Sequence, residues 1–350
     1  MKPTGGEAKG ISGGAASPFA RRRVAVSPGE LVRAEELQAG QTLPLQLRPA
    51  ADGVDLARWA EGSRDLIRDK LRAHGGLLFR GFGVGGVEEF ERFVRAVSEE
   101  LLEYRERSSP RTAVSGAVYT STEYPAGKRI FLHNENSYQH VFPLKIFFHC
   151  VTPPARGGQT PIADCRRVLR HIPPDILSRF REKGWMLVRN FREEVGLPWQ
   201  TVFQTTDRSE VERYCEGAGI GVEWRGDSLR TTQVRPAVAT HPRTGEEVWF
   251  NHAAFFHLTT LEAASRLALA ARFSEEELPN NTYYGDGSPI EPEAAEQLRE
   301  AYARETVMFD WQRGDVLMLD NMLVAHAREP FTGERKIVVA MSDPATRGEG

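Results

Sequence analysis

The sequence predicts a mixed α/β fold with a mainly β core of the sandwich or barrel type and with helical insertions. Short strand-like runs, such as 185–191 and 316–319, recur along the chain between Gly and Pro turns. The run 143–151 is rich in strand formers and too short to span a membrane, which predicts a buried strand. Helical patterns, for example at 55–74 and 292–304, lie between the strands without the regular alternation that is typical of a parallel sheet.

The domain organisation follows from length and composition. A chain of 350 residues has a length typical of about two domains. We nevertheless expect a single domain over residues 26–345, one enlarged β domain with helical insertions. Residues 1–25 are expected to form a disordered tail, since their Gly-rich start offers little apolar surface to pack.

Charge and cysteine content exclude several classes of protein. A net charge of -3 and a pI near 6.3 argue against a nucleic-acid-binding protein, which usually has a basic surplus. The basic cluster 21–23 is read as part of a solvated terminus, and no stretch has the apolar length of a signal peptide or membrane helix. Cys150, Cys165 and Cys215 are odd in number and lack metal-ligand spacing. We expect a cytoplasmic protein without membrane association.

A possible iron site begins with His133 and Glu135, which lie two residues apart. A strand or extended turn would project both side chains to one side. His326 could supply a second imidazole from far along the chain. Two histidines and one carboxylate on one face of Fe(II) leave positions open for a co-substrate and dioxygen. An isolated His-x-Glu pair is common, however, and His326 could also be an ordinary core histidine.

A possible anchor for a carboxylate follows the third histidine. The chain runs from His326 through a turn to Arg335, which opens the predicted strand 336–341. A histidine and an arginine on successive antiparallel strands could both point into one barrel mouth. Lys336 is the competing cation, and Arg335 could instead form a surface ion pair.

A second polar group could face the same barrel mouth. The paired glycines 157–158 permit a tight bend, after which the Thr160 hydroxyl can face inward. Thr160 could equally do no more than satisfy a strand edge. Asp164 and Arg166 are expected to tie the following turn together.

Several segments, taken together, resemble a known family, and they span most of residues 75–342. The matching segments are 118–125, 132–135, 157–164, 248–252, 284–290 and 320–341. In this ordered set the chain resembles the TauD/TfdA family of Fe(II)- and 2-oxoglutarate-dependent dioxygenases. Within the family it resembles the SyrP-like branch, which includes amino-acid hydroxylases of peptide natural-product pathways. Two departures are Glu135, where many members have Asp, and the short interval from His326 to Arg335.

The resemblance implies a double-stranded β-helix, also called a jelly roll, with Fe(II) bound by His133, Glu135 and His326. It also implies that 2-oxoglutarate places its distal carboxylate near Arg335 and Thr160, and that dioxygen is the oxidant. An arginine suits that carboxylate because its planar fork donates two parallel hydrogen bonds. Halogenating relatives have a small residue in place of the carboxylate ligand. Glu135 therefore favours hydroxylation, while desaturation or cyclisation stay open.

The substrate implied by the resemblance is an amino acid, either free or tethered to a carrier protein as a thioester. Candidate substrate residues are polar side chains near the predicted ligands: Asn134, Ser137, Tyr138, Asn251, His252 and Arg328. His241 lies in the turn 241–245 and is read as part of a solvent-exposed hairpin.

Two alternatives belong to other functional classes. One is a jelly-roll protein that binds a metal or a small acid without turnover. The other is a hydrolase that uses Zn(II) and an activated water, which would need a general base and no 2-oxoglutarate anchor. Oxygen consumption with Fe(II)-dependent release of succinate separates the three.

Overall fold

The structure is a computed structural model that describes residues 30–102, 113–115, 118–120, 124–192 and 195–347. The tail predicted over 1–25 lies outside these residues. The helices are α1 (Leu56–Glu61), α2 (Arg64–His74), α3 (Val87–Val97), α4 (Cys165–His171), α5 (Pro174–Lys183), α6 (Trp199–Phe203), α7 (Arg208–Gly217), α8 (Ala253–Phe256), α9 (Ala263–Ala270) and α10 (Pro292–Glu305).

The strands are β1 (Val32–Gln38), β2 (Gln41–Pro49), β3 (Gly76–Phe79), β4 (Ala113–Ser115), β5 (Val118–Thr120), β6 (Ile130–His133), β7 (Val141–Thr152), β8 (Arg156–Gly157), β9 (Ile162–Asp164), β10 (Trp185–Phe191), β11 (Gly221–Arg225), β12 (Ser228–Arg235), β13 (Val238–Thr240), β14 (Glu247–Trp249), β15 (Asn280–Tyr284), β16 (Val316–Asp320), β17 (Val324–Arg328), β18 (Phe331–Thr332) and β19 (Lys336–Thr346). The structure is therefore a mixed α/β fold with a large sheet content, as the sequence predicted.

Two sheets carry the part of the fold that matters for the site. The larger has eight strands in the order β1-β2-β3-β16-β7-β19-β5-β4, and its pairs are antiparallel except β2 with β3. The smaller has three antiparallel strands in the order β6-β17-β9. The chain passes directly from the large sheet to the small one through the short turn 321–323 between β16 and β17. Strands β10, β11, β12 and β15 form a further four-stranded sheet.

Both faces are buried in the centre of the eight-stranded sheet. Alternate side chains of β7, such as Ile146 and Phe148, join a core that also contains Ala325 of β17 and Ile162 of β9. The intervening Phe147 belongs to a second core, which helices α1, α2 and α3 complete on the other side. This explains why the predicted strand 143–151 is mainly apolar, since a strand covered on both faces has no solvent-facing side. Its two polar residues, Lys145 and His149, are themselves buried.

The helix predicted over 55–74 is broken into α1 and α2. The Asp55 carboxylate accepts the Arg58 N–H at 2.9 Å and caps α1, while Gly62 follows its last residue. Glycine favours a helix end because it has a low helix propensity. In the part of the chain that the structure describes, no helix has the length and apolar character needed to cross a membrane.

A buried ion pair fixes the start of β16 against the end of β3. The Arg80 Nη2 and Nε donate to the two carboxylate oxygens of Asp315 at 2.6 and 3.0 Å, and Nη2 also donates to the Asp310 carbonyl at 2.8 Å. The side chain of Asp315 is only 1% exposed. Removal of one partner would leave the other charge buried and uncompensated.

We therefore expect Asp315→Ala to lower the free energy of unfolding by about 3–5 kcal/mol. The matched control is Glu247→Ala, which removes a similar two-bond pair with Arg181 (2.6 and 2.8 Å) on the exposed surface. The control should cost less than about 1 kcal/mol because water and salt screen exposed pairs. Urea denaturation measures both, and equal losses would contradict the structural role of the Arg80–Asp315 pair.

Candidate metal centre

The two predicted histidine ligands face each other across a strand pair. His326 of β17 is the direct antiparallel partner of His133, the last residue of β6. Opposite residues in an antiparallel pair lie close enough for their side chains to touch. Their rings are 4.4 Å apart between centroids. The strand register therefore brings together two imidazoles that are far apart in sequence.

Glu135 completes the group from the turn that follows β6, which is one of the two arrangements, strand or extended turn, that the two-residue spacing had predicted. Its Oε2 lies 3.6 Å from Nε2 of His326. One nitrogen or oxygen atom from each of His133, Glu135 and His326 lies within 4.8 Å of the others. Glu135 and His326 are buried, and His133 is partly exposed.

The donor atoms fit a ferrous ion. His133 Nδ1 lies 2.8 Å from the Phe131 carbonyl, so it carries the proton and donates, which leaves Nε2 with a lone pair. At 3.6 Å, His326 Nε2 and Glu135 Oε2 are too far apart to form a hydrogen bond. Two imidazole nitrogens and a carboxylate oxygen are the donor set of non-haem iron oxygenases, and the site could hold such a metal.

A cavity of about 270 Å³ opens beside His133 and Glu135. Its other walls are Tyr124, Lys128, Arg129, Ile130, Phe131, Asn136, Tyr138, His252, Phe255, Phe256, Thr260, Leu261, Glu262, Ser265 and Asn280. The Phe255 ring lies 4.7 Å from the His133 ring, measured between centroids. The wall near His133 is thus mainly aromatic. The charged side chains of the cavity, apart from Glu135, come from two segments of the chain.

These two segments are the loop before β6 and the chain around the start of α9. Lys128 in the first forms an ion pair with Glu262 in the second, and both line the cavity. Their side chains are 42% and 57% exposed, so the pair lies at the solvent side. The neighbouring Arg129 pairs with Glu329 at 2.9 Å. The solvent side of the cavity therefore carries two cationic side chains, Lys128 and Arg129, and one carboxylate, that of Glu262.

Of the predicted substrate residues, Tyr138 and His252 line this cavity, and Ser137 lies directly behind His252. The Ser137 hydroxyl lies 2.6 Å from Nδ1 of His252. Burial lowers the pKa of His252 well below its usual value, and the nearby His133 acts in the same direction. His252 is therefore a neutral, oriented imidazole whose ring lies 5.7 Å from that of His133 between centroids.

The other three predicted substrate residues do not line the cavity. Asn134 donates to the Asn321 carbonyl at 2.7 Å, and Asn251 donates to the Ala237 carbonyl at 2.8 Å. Arg328 donates to three carbonyls in the loop before β6, those of Tyr124, Pro125 and Lys128. All three side chains are buried. Buried backbone carbonyls need hydrogen-bond donors, and these three side chains supply them and so hold backbone segments together.

Arg335 and Thr160 lie on neighbouring segments. Arg335 is partly buried, and its Nε donates to the Gly158 carbonyl at 3.0 Å. Burial lowers the pKa of Arg335 to about 10, with a further contribution from the charge of Arg328. Thr160 is 2% exposed, and its hydroxyl accepts a hydrogen bond from the Trp311 indole at 3.1 Å.

The bend before Thr160 has the predicted backbone. Gly157 and Gly158 both have φ +68, which glycine adopts without strain. A Cβ on Gly157 would lie 2.2 Å from the Pro330 carbonyl oxygen.

The prediction that His326 and Arg335 lie on successive antiparallel strands was wrong. His326 belongs to the three-stranded sheet, whereas Arg335 immediately precedes β19 of the eight-stranded sheet, with β18 between them.

Two further predictions about polar residues have opposite outcomes. Asp164 and Arg166 form the expected local pair, with Nη2 and Oδ2 2.7 Å apart. The solvent-exposed position predicted for His241 is wrong, because its side chain is 1% exposed and its Nε2 lies 3.0 Å from Oδ2 of Asp320. The sequence of a hairpin turn does not reveal that the end of another strand, here β16, packs against the turn.

Sequence reasoning missed Phe255, Phe256, Lys128 and Glu262 as cavity residues. The aromatic pair follows His252 closely, and that proximity was the available signal for it. The two charged residues lie far apart in sequence and gave no such signal. Lys336, the alternative anchor, is exposed on β19.

Comparisons with known proteins agree with this site. The family model described as taurine catabolism dioxygenase TauD, TfdA family, matches residues 41–341. A dapdiamide synthesis protein, DdaC of Enterobacter agglomerans, is 45% identical over 279 residues, which is 79% of this chain and 85% of that protein. A clavaminate synthase-like protein of Arabidopsis thaliana is 30% identical over 286 residues, 77% of this chain and 82% of that protein.

Solved structures share the fold at low identity. PvcB of Pseudomonas aeruginosa superimposes with a TM-score of 0.54 at 18% identity and covers 94% of both chains. A taurine dioxygenase of Burkholderia xenovorans has the same TM-score at 19% identity, with 91% of this chain and 92% of that chain covered. With the family model and both relatives spanning most of its length, the chain belongs to the TauD/TfdA family of Fe(II)- and 2-oxoglutarate-dependent dioxygenases.

Proposed function

We propose that this enzyme hydroxylates an unactivated carbon of an amino acid, free or tethered to a carrier protein, in natural-product biosynthesis. The observation that carries the proposal is the convergence of His133, Glu135 and His326 beside a cavity of about 270 Å³. A small substrate in that cavity would lie next to the metal. The 45% identity to a dapdiamide synthesis protein supports a natural-product pathway.

We assign His133, Glu135 and His326 as the iron ligands. With 2-oxoglutarate and dioxygen, Fe(II) at this centre would supply the oxidising chemistry, which belongs to the cofactor and not to the side chains. The protein would hold the metal and position one C–H bond beside it. Because the carboxylate ligand is present, the site favours hydroxylation over halogenation, while desaturation or cyclisation are alternatives within the same family.

We assign Arg335 as the anchor for the distal carboxylate of 2-oxoglutarate, with Thr160 beside it. Its partial burial supports this role, since a carboxylate would compensate a charge that burial has made costly. Lys336 is the weaker candidate because it is exposed and strongly hydrated. The hydroxyl of Thr160 can donate to a carboxylate while it accepts from Trp311.

The Lys128–Glu262 ion pair at the solvent side of the cavity supports an amino-acid substrate. Glu262 can accept from an ammonium group, and Lys128 can donate to a carboxylate. A free amino acid would then replace their mutual ion pair by two pairs of its own. Tyr138, His252 and Phe255 would enclose the side chain and exclude water from the reacting carbon.

We also propose that the eight-stranded and three-stranded sheets are the two walls of a double-stranded β-helix, within one domain over residues 26–345. Apolar side chains from both sheets share one core, which supports this arrangement. Membership of the SyrP-like branch and a cytoplasmic location stay predictions.

Removal of a ligand should abolish turnover. We expect Glu135→Ala or His326→Ala to lower Fe(II)-dependent conversion of 2-oxoglutarate to succinate by at least roughly 100-fold, more than is typical for residues that only support a ligand. The matched control is His171→Ala, which removes a histidine–glutamate pair elsewhere (His171 Nε2 to Glu305 Oε1, 2.6 Å). Succinate assays and circular dichroism measure activity and folding. Normal turnover in either ligand variant would remove that residue from the ligand set.

Removal of the residue that anchors 2-oxoglutarate should raise the KM for this co-substrate. A charge-assisted hydrogen bond contributes about 1.5–3 kcal/mol, so Arg335→Ala should raise this KM roughly ten- to 150-fold with a smaller effect on kcat. Lys336→Ala is the control and should leave the KM unchanged. The reverse pattern would assign the anchor to Lys336, and no change in both variants would exclude this segment.

Mass spectrometry of free and carrier-loaded amino acids, incubated with Fe(II), 2-oxoglutarate and oxygen, should show a gain of one oxygen atom on the true substrate. Loss of two hydrogens would instead indicate desaturation. If no amino acid in either form is modified while succinate is still produced, the amino-acid assignment is wrong.

Two charge variants then report which form binds. For a free amino acid, Lys128→Gln and Glu262→Gln should both raise the substrate KM, because each removes one partner of the zwitterion. A carrier thioester has no free carboxylate, so only Glu262→Gln should matter for it. Lys183→Gln, which opens a surface pair with Asp286 (2.7 Å), is the control. An unchanged KM in both variants would contradict recognition by this pair.

A further inference from the structure

The side chain of Asn321 holds both backbone groups of Glu135. Its amide oxygen accepts the Glu135 N–H at 2.7 Å, and its amide nitrogen donates to the Glu135 carbonyl at 2.9 Å and to the Pro143 carbonyl at 2.8 Å. The Asn321 backbone carbonyl accepts from the Asn134 amide at 2.7 Å. Asn321 is 0% exposed, so water does not compete for these bonds.

Asn321 is itself held by a short turn between two strands. Its N–H donates to the Leu144 carbonyl of β7 at 2.9 Å. The preceding Asp320 accepts the N–H groups of Met322 and Leu323 at 3.1 Å each, so its carboxylate closes the turn. The turn therefore has a defined shape before any contact with Glu135 is counted.

A buried histidine orients the Asp320 carboxylate. His241 Nδ1 accepts the N–H groups of Arg243 and Thr244 at 3.2 and 3.0 Å, so the proton of the neutral ring is on Nε2. That Nε2–H donates to Asp320 Oδ2 at 3.0 Å. The hydrogen bonds thus run from His241 through Asp320 to the turn that presents Asn321.

Glu135 needs such a support more than the two histidines do. His133 and His326 belong to paired strands, and the ladder of hydrogen bonds sets their positions. Glu135 lies beyond the end of β6, and the next residue, Asn136, has φ 55, in the left-handed region. Left-handed backbone at a residue other than glycine requires support from its surroundings.

We propose that Asn321 is a positioning residue for the metal centre, which fixes the backbone of Glu135 and thereby the place of its carboxylate opposite His133 and His326. This inference rests on the proposed ligand set. Asn321 reaches Glu135 only through the backbone, so its effect on a metal must pass through the position of the Glu135 side chain.

The first test measures the affinity for Co(II) in protein prepared without iron. Binding is monitored through the visible absorption of the bound Co(II). Loss of a residue that supports a ligand typically weakens metal binding by roughly 10- to 100-fold, and we expect this loss for Asn321→Ala. The control is Asn190→Ala. Asn190 is similarly buried and donates to two carbonyls, those of Glu276 and Leu278, at 3.0 and 2.7 Å. The control should lose stability but bind Co(II) like the wild type.

A double-mutant cycle separates positioning from general loss of structure. Glu135→Ala keeps the backbone that Asn321 holds but removes the carboxylate. In that background, Asn321→Ala should cause no further loss of Co(II) affinity, because its effect passes through the missing ligand. Asn321→Ser, which keeps a hydroxyl for one of the three bonds, should give a smaller loss and serves if the alanine variant does not fold.

The outcomes are distinguishable. If Glu135→Ala binds Co(II) like the wild type, the proposed ligand set fails and this inference fails with it. If Glu135→Ala weakens binding but Asn321→Ala and Asn321→Ser do not, only the positioning role is wrong. An equal loss in the Asn190→Ala control, or an undiminished effect of Asn321→Ala in the Glu135→Ala background, would show a purely structural role.

Discussion

The antiparallel pairing of β17 with β6 is the interaction on which the rest of the site depends. It places His326 directly opposite His133, although almost two hundred residues separate them in the chain. The hydrogen bonds of a ladder place opposite residues within side-chain contact, and here they bring the two imidazoles together, with a β-bulge between His326 and Arg328. β17 also pairs with β9 on its other side, which buries the histidine strand in the middle of the small sheet. A central strand cannot shift its register without breaking two ladders.

The proposed carboxylate ligand, Glu135, is held in place in a different way. Glu135 lies in a turn, where side chains replace the ladder, and Asn134 and Asn321 provide hydrogen bonds on either side of its backbone. Arg328 acts in the same way on the loop before β6. Polar residues around the cavity therefore divide into two groups. One group satisfies buried backbone and keeps the irregular segments in shape, and the other, including Lys128 and Glu262, faces the cavity.

Local sequence patterns predicted much of the fold because they report local forces. Turn residues and apolar runs located β7, β10 and β16, and the helical pattern over 292–304 located α10, with ends accurate to a few residues. Errors arose where a single residue or a distant contact decides the outcome. Gly62 divides the predicted helix 55–74, and the burial of His241 depends on Asp320, which is remote in sequence. Residues far apart in sequence can be paired only by the packed structure.

By itself the sequence determined the family, the identity of the three candidate ligands and the mixed α/β class, because residue type and motif order carry that information. Only the tertiary structure decided which of the polar residues near the ligands face the cavity. Asn134, Asn251 and Arg328 have the chemistry of substrate-binding groups, yet each is engaged by buried carbonyls that the folded chain brings to it. Lys128 and Glu262 have no motif, and they share a cavity because the loop before β6 and the segment at α9 approach each other. The physical reason is that a side chain's type determines which bonds it can make, whereas the fold determines which partners lie within reach.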